Sequence, residues 1–140
     1  MNNQKSGIIP YYIKNEKVFV LLMKPSNIKY GGDRYQIAKG NIDGDDTLFE
    51  TAIKEGHEEL GLKTKNIIDG VMYNEKTHIS GKYSKYDIHT FYCKINDIND
   101  FDIPHYETGS TKWFREDELS KVRKNQKNII KNSIVKIKGK

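Results

Sequence analysis

Glu55, Glu58 and Glu59 stand at positions i, i+3 and i+4, and on a helix that spacing sends three carboxylates out from one face. Like charges held so close repel one another and weaken an isolated helix, so the arrangement asks for a compensating cation. Lys54 is one candidate. A hard divalent ion such as Mg2+ or Mn2+, which prefers oxygen ligands, is a better one. A bare Glu-x-x-Glu-Glu is commonplace on solvated helices, so the weight of the pattern lies in what surrounds it.

The surroundings are specific. Residues 41–46 read Asn-Ile-Asp-Gly-Asp-Asp, which is turn chemistry, and Thr47-Leu48-Phe49-Glu50 fits a capping box that starts a helix at Thr47. Leu48, Phe49, Ala52, Ile53 and Leu60 recur at three- and four-residue spacing and predict one core-facing stripe, with Gly61 as the stop. Upstream, 6–12 and 17–23 are rich in β-branched and aromatic residues and predict a hairpin, followed by a loop over 25–33 and a short strand at 35–38 that leads into Lys39-Gly40. Downstream, strands are predicted at 67–73, 86–95 and 111–114, with 74–84 as a polar connection, and helices at 116–122 and 125–137. Strands on both sides of a central helix, with another helix at the end, imply an α/β (α+β) fold in which a central mixed sheet is sandwiched between helices.

The segment from Gly40 to Leu62 resembles the Nudix box: Gly, five residues, Glu, seven residues, Arg-Glu, an aliphatic, one residue, Glu-Glu, one residue, Gly, an aliphatic. Gly40, Glu55, Glu58, Glu59, Gly61 and Leu62 match in an ungapped register. Asp46 stands where that pattern has Glu, Lys54 where it has Arg, and Gly56 where it has an aliphatic residue. The resemblance implies an α/β/α Nudix sandwich and metal-dependent hydrolysis of a pyrophosphate bond. It implies Glu55 and Glu59 as principal ligands of Mg2+ or Mn2+, Glu58 as ligand or general base, and the Lys39 carbonyl and Gly40 beside the metal. Asp46 and Lys54 would brace the loop against the helix; the shorter Asp and the unforked Lys loosen that pair. Gly56 lowers helix propensity by roughly 1 kcal/mol relative to Ala and would permit a close backbone approach. The resemblance also points to a catalytic or metal-binding carboxylate in the region of Glu107, in the loop before Trp113.

Lys39, Arg34 and Tyr35 are candidate substrate contacts, the first two as phosphate-neutralising cations. Tyr30, Tyr73, Tyr86 and Phe91 join Tyr35 as candidates for a base-stacking wall, although aromatics on strands more often fill cores. His57, His78, His89 and His105 have no ligand spacing. Ser6-Gly-Ile-Ile-Pro, Gly31-Gly32, the 36–40 stretch and 104–107 are similar to a Nudix subgroup of large bacteriophages, which the resemblance links to ADP-ribose and dinucleoside polyphosphates. Oxidised nucleoside triphosphates and RNA 5′ ends are further substrate classes. A catalytically weak nucleotide- or RNA-sensing module is the alternative from another functional class, and the family resemblance allows a homodimer.

At 140 residues, one domain over 1–140 is expected, with a basic helix and tail from about 121. The net charge of +5 is unevenly placed: residues 121–140 hold eight basic and no acidic side chains, leaving sixteen basic against nineteen acidic elsewhere. A solvated helix explains that tail more simply than a polyanionic partner. Cys93 is the single cysteine, which excludes an internal disulfide or thiolate zinc cluster and predicts a buried, reduced thiol. No signal-like or membrane-spanning apolar run is present, so a cytoplasmic protein is expected.

Overall fold

The computed structural model describes residues 3–27, 29, 33–42, 44–81 and 85–139. Tyr30 and the Gly31-Gly32 pair lie outside these. The predicted hairpin is formed by β1 (Gln4–Lys14) and β2 (Lys17–Pro25), and the two-residue turn between them places Asn15 and Glu16 at φ 52° and 68°. Positive φ at both central positions matches the right-handed twist of the flanking strands. There follow β3 (Ala38–Asn41), α1 (Leu48–Leu60), β4 (Ile67–Ser80), β5 (Lys85–Ile95), β6 (Thr108–Arg115) and α2 (Lys127–Lys138).

The strands make one six-stranded sheet in the order β4-β5-β1-β2-β6. β1 divides its free edge, pairing β3 through residues 5–8 and β2 through 11–14. Its other edge runs parallel to β5, which makes the sheet mixed. Adjacent residues of the central strands enter opposite layers. Ile8 and Leu21 pack with Ala52 and Leu60 of α1, whereas Ile9 and Leu22 pack with Ile129, Ile130, Ile134 and Ile137 of α2. A sheet covered on both faces needs unbroken apolar runs in its centre, which is why Ile8-Ile9 and 18–23 do not alternate. The α/β/α sandwich expected from the sequence is the observed architecture.

Several expected elements differ. The third strand begins at Ala38, later than 35–38, because β1 offers pairing positions to Ala38, Lys39, Gly40 and Asn41, while Tyr35 and Gln36 make only isolated bridges. The polar stretch 74–80 continues β4: an edge strand tolerates Lys76 and His78 pointing to solvent, while the half-buried Glu75 accepts from Asn132 of α2 at 2.9 Å. No helix forms at 116–122. The Glu116 side chain accepts from the Val18 N–H at 2.8 Å, the Glu118 N–H closes a turn on Arg115, and Val122 bridges to Tyr35. Phe49 leaves the predicted core stripe of α1 and stands half-exposed against Phe91, while Gly56 takes a buried place on that helix. Cys93 is a buried free thiol on β5, and burial pushes it up to about 12.

Candidate active site

α1 is held firmly at both ends. The Thr47 side chain accepts from the Glu50 N–H at 3.0 Å, and the Glu50 carboxylate accepts from the Thr47 N–H at 2.9 Å. At the other end Gly61 adopts the left-handed conformation at φ 75° and donates to the Gly56 and His57 carbonyls. A side chain on Gly61 would collide with the Asp102 backbone as well.

Residues 97–107 then form a strap over this helix end. The Asp102 N–H donates to the Gly61 carbonyl at 2.8 Å, the His105 N–H to the Glu58 carbonyl at 2.7 Å, and the Thr108 hydroxyl to the Glu59 carbonyl at 3.0 Å. These bonds satisfy carbonyls that the last turn of a helix leaves free. They also fix the backbone beneath two of the three glutamates.

Against this helix lies β3. The Glu55 carboxylate sits so close to Gly40 that any β-carbon there would overlap it. Lys39 donates its backbone N–H to Glu59 Oε1 at 3.1 Å. Burial pushes the Glu59 carboxyl above the ordinary carboxylate range, and the neighbouring Glu55 charge pushes it further. Glu55 is raised by burial and then by Glu58. Glu58 is exposed on the rim. The Lys39 ammonium is driven down by burial, with Arg123 and Lys5 acting in the same direction against Glu59.

These groups line a groove of about 710 Å³. Glu55, Glu58 and Glu59 form one wall, Lys5, Gln36 and Lys39 another, and Ser26, His105, Tyr106 and Glu107 the mouth. Gln36 Oε1 accepts from Lys39 Nζ and from Arg123 Nη1, each at 3.0 Å. The buried Tyr86 ring lies beneath the ammonium groups of Lys5 at 5.3 Å and Lys39 at 6.0 Å. The groove therefore joins an acidic wall to a basic one.

Among the described residues, no three acidic, histidine or cysteine side chains already converge as a metal cage. The donor set nevertheless suits a hard cation. Two partly buried carboxylates abut, every donor is oxygen, and a glycine leaves the room they occupy.

The sequence-derived candidates divide. Glu55, Glu58, Glu59, Lys39, Gly40 and Glu107 share the groove. Asp46 and Lys54 are not in its lining and meet each other at 2.6 Å. Arg34 and Tyr35 are not part of its lining: the Arg34 guanidinium donates to the Ser120 carbonyl at 2.6 Å, and Tyr35 packs edge-on against Phe114 with its hydroxyl 2.7 Å from Ser110. Tyr73 and Phe91 pack together at 5.2 Å, also off the groove lining. His57 lies 3.2 Å from Asp102 and joins the strap. Lys5, Gln36, Thr108 and Arg123 received no site role from the sequence, and His105 was set aside for want of a ligand spacing. Their strand and loop positions carry no motif spacing, although Gln36 could have been suspected from its nearness to Lys39.

A mixed sheet between two helices thus carries paired glutamates and lysines in the lining of one open groove. Residues 4–133 match the NUDIX domain, so the chain belongs to that family and with it to the pyrophosphohydrolases. No curated protein sequence matches significantly. Among solved structures, a C. elegans Ap4A hydrolase in a binary complex superposes with a TM-score of 0.80 at 17% identity, covering 99% of both chains. The NUDIX domain of Shewanella oneidensis NrtR complexed with ADP ribose gives 0.76 at 15% identity, covering 98% of this chain and 89% of that one. A Nudix hydrolase from M. smegmatis, RenU, gives 0.74 at 14%, covering 97% and 88%.

Proposed function

We propose that this pyrophosphohydrolase uses Mg2+ or Mn2+ to cleave a nucleoside diphosphate linked to a second moiety, with ADP-ribose and dinucleoside polyphosphates as the favoured substrates. The observation that carries the reading is the abutting pair Glu55 and Glu59, both raised by burial, Glu55 further by Glu58 and Glu59 further by Glu55, in a groove lined also by Lys39. The two named neighbours that involve Ap4A and ADP ribose support the choice of substrate class.

Glu55 and Glu59 would hold the metal, with the Lys39 carbonyl and Gly40 beside it and Glu58 as a further ligand or the general base. When bound, the metal neutralises charge on the leaving phosphate and makes hydroxide available near neutral pH. The protein's own groups supply the remainder. Lys39 and Lys5 place positive charge where the phosphate oxygens enter, and Gln36 orients the Lys39 ammonium from behind. The Asp46–Lys54 pair ties the turn before α1 to the helix, and His105 and Thr108 fix the backbone of Glu58 and Glu59. Glu107 at the mouth, 3.3 Å from His105, positions the attacking water.

Release of nucleoside monophosphate from ADP-ribose, diadenosine polyphosphates, nucleoside triphosphates and capped RNA, with Mg2+, Mn2+ or chelator, tests this. The expected result is metal-dependent turnover that is highest on the first two. Tight binding without turnover on every substrate and metal would instead identify a sensing module.

A further inference from the structure

The tail's positive charge does not stay together in the fold. Lys136 donates to the Asn74 carbonyl and Lys138 to Glu116, on the flank of α2. Lys121, Arg123, Lys124 and Lys127 instead join cations from distant parts of the chain around two adjoining hollows. One, of about 460 Å³, is lined by Arg34, Arg123, Lys124 and Lys127; the other, of about 550 Å³, by Lys24, Arg34, Lys112 and Lys121. Arg34 belongs to both, and Asp33 is the single acidic residue in either lining.

Several cations elsewhere on the surface are neutralised by carboxylates. Lys17, Lys54, Lys63, Lys94, Arg115 and Lys138 each lie within ion-pairing distance of a carboxylate. Around the two hollows no such pair occurs among the described residues. Arg34 and Arg123 are oriented by neutral oxygens of Ser120 and Gln36, and Lys24 and Lys112 lie over the Tyr35 and Phe114 rings. Oriented but unneutralised charge suits several phosphates in succession. The large apolar side chains that stand exposed, Ile103, Tyr106, Phe49 and Met72 among them, line neither hollow, which disfavours a lipid surface. Two concave hollows in series accept a flexible strand better than the convex face of a duplex.

We propose that this surface, outside the hydrolytic groove, binds the phosphate backbone of single-stranded nucleic acid. Binding is electrostatic and indifferent to sequence. It needs neither metal nor a pyrophosphate bond, so its test is separable from that of the hydrolytic reading.

Fluorescence anisotropy with a 5′-hydroxyl single-stranded RNA in chelator tests it over about 50–200 mM salt. The wild-type chain should bind with a steep negative slope of log affinity against log salt. Reversing Lys121, Lys124 and Lys127 to Glu should lower affinity at least tenfold and flatten the slope by about 2, with the far-UV circular dichroism unchanged. Should that variant fail to fold, Lys124→Ala and Lys127→Ala each flatten the slope by about 0.7. Absence of RNA binding at the lowest salt, equal binding by wild type and variants, or preference for polyglutamate or anionic vesicles over RNA would each overturn the proposal.

Discussion

The two helices that cover the sheet are nearly equal in length yet held in opposite ways. α1 has a reciprocal capping box at its start and a left-handed glycine at its end, whereas α2 has no side-chain cap. α2 rests on Ile129, Ile130, Ile134 and Ile137, all buried, but α1 buries only Thr51, Ala52, Gly56 and Leu60, of which Leu60 alone is large. The acidic side chains of α1 repel one another at the groove, while Lys138 of α2 meets the Glu116 carboxylate at 2.8 Å. The contrast separates a helix that must carry unfavourable charge from one that only covers a core. Caps and the strap offset on α1 what its carboxylates remove, so its stability comes from its ends.

Replacing Glu59 with Gln should separate the two roles most sharply. Metal-dependent turnover should fall by at least about 100-fold, because a negative ligand is lost from the acidic wall. Without metal, the melting temperature should be no lower than wild type. A carboxyl whose folded pKa is raised opposes folding above the unfolded value, and the Gln oxygen can still accept from the Lys39 N–H. A fall of several degrees, or wild-type turnover, would refute the view that this carboxylate is held at the expense of stability.

A smaller effect is expected at Gly56, which stands where the Nudix box has an aliphatic residue. Its added β-carbon would lie 2.9 Å from Ile8 Cγ2 and 3.1 Å from Leu62 Cδ2. Ala would gain roughly 1 kcal/mol of helix propensity, but overpacking costs about 1–3 kcal/mol, so Gly56→Ala should lose about 1 kcal/mol in urea denaturation. A helix displaced from β1 would also move Glu55 against Gly40 and reduce turnover about tenfold. A more stable variant of unchanged activity would show that the close approach of α1 to β1 is incidental.

The same contrast explains what could be read in advance. The caps, Gly61 and the carboxylate spacing are local features with a fixed register, so α1 and its acidic wall were legible. Lys5, Gln36 and the Arg123 that donates to Gln36 were not, because they come from three separate segments and meet only when β1, the bridge at Gln36 and the turn before α2 are assembled. For a like reason 74–80 read as a loop: its polar residues reflect an edge position that only the strand order reveals. The absent helix at 116–122 follows from Glu116, whose carboxylate is engaged by Val18 and Lys138 across the fold.

That engagement gives the smallest and most specific effect. Burial alone would raise the Glu116 carboxyl, yet the Lys138 ammonium and the Val18 N–H hold it below the ordinary carboxylate range. A carboxyl depressed in the folded state contributes stability that is present above its unfolded pKa and lost as the pH falls through its folded one. Glu116→Gln keeps an acceptor for Val18 but removes the charge that Lys138 faces. The variant should therefore be about 1 kcal/mol less stable at neutral pH, a shift of about 3 °C in melting temperature. As the wild-type side chain itself becomes protonated in acid, the two melting temperatures should converge. Curves that stay parallel down to about pH 3 would mean that the charge does not fasten α2 to the sheet and that its four isoleucines suffice.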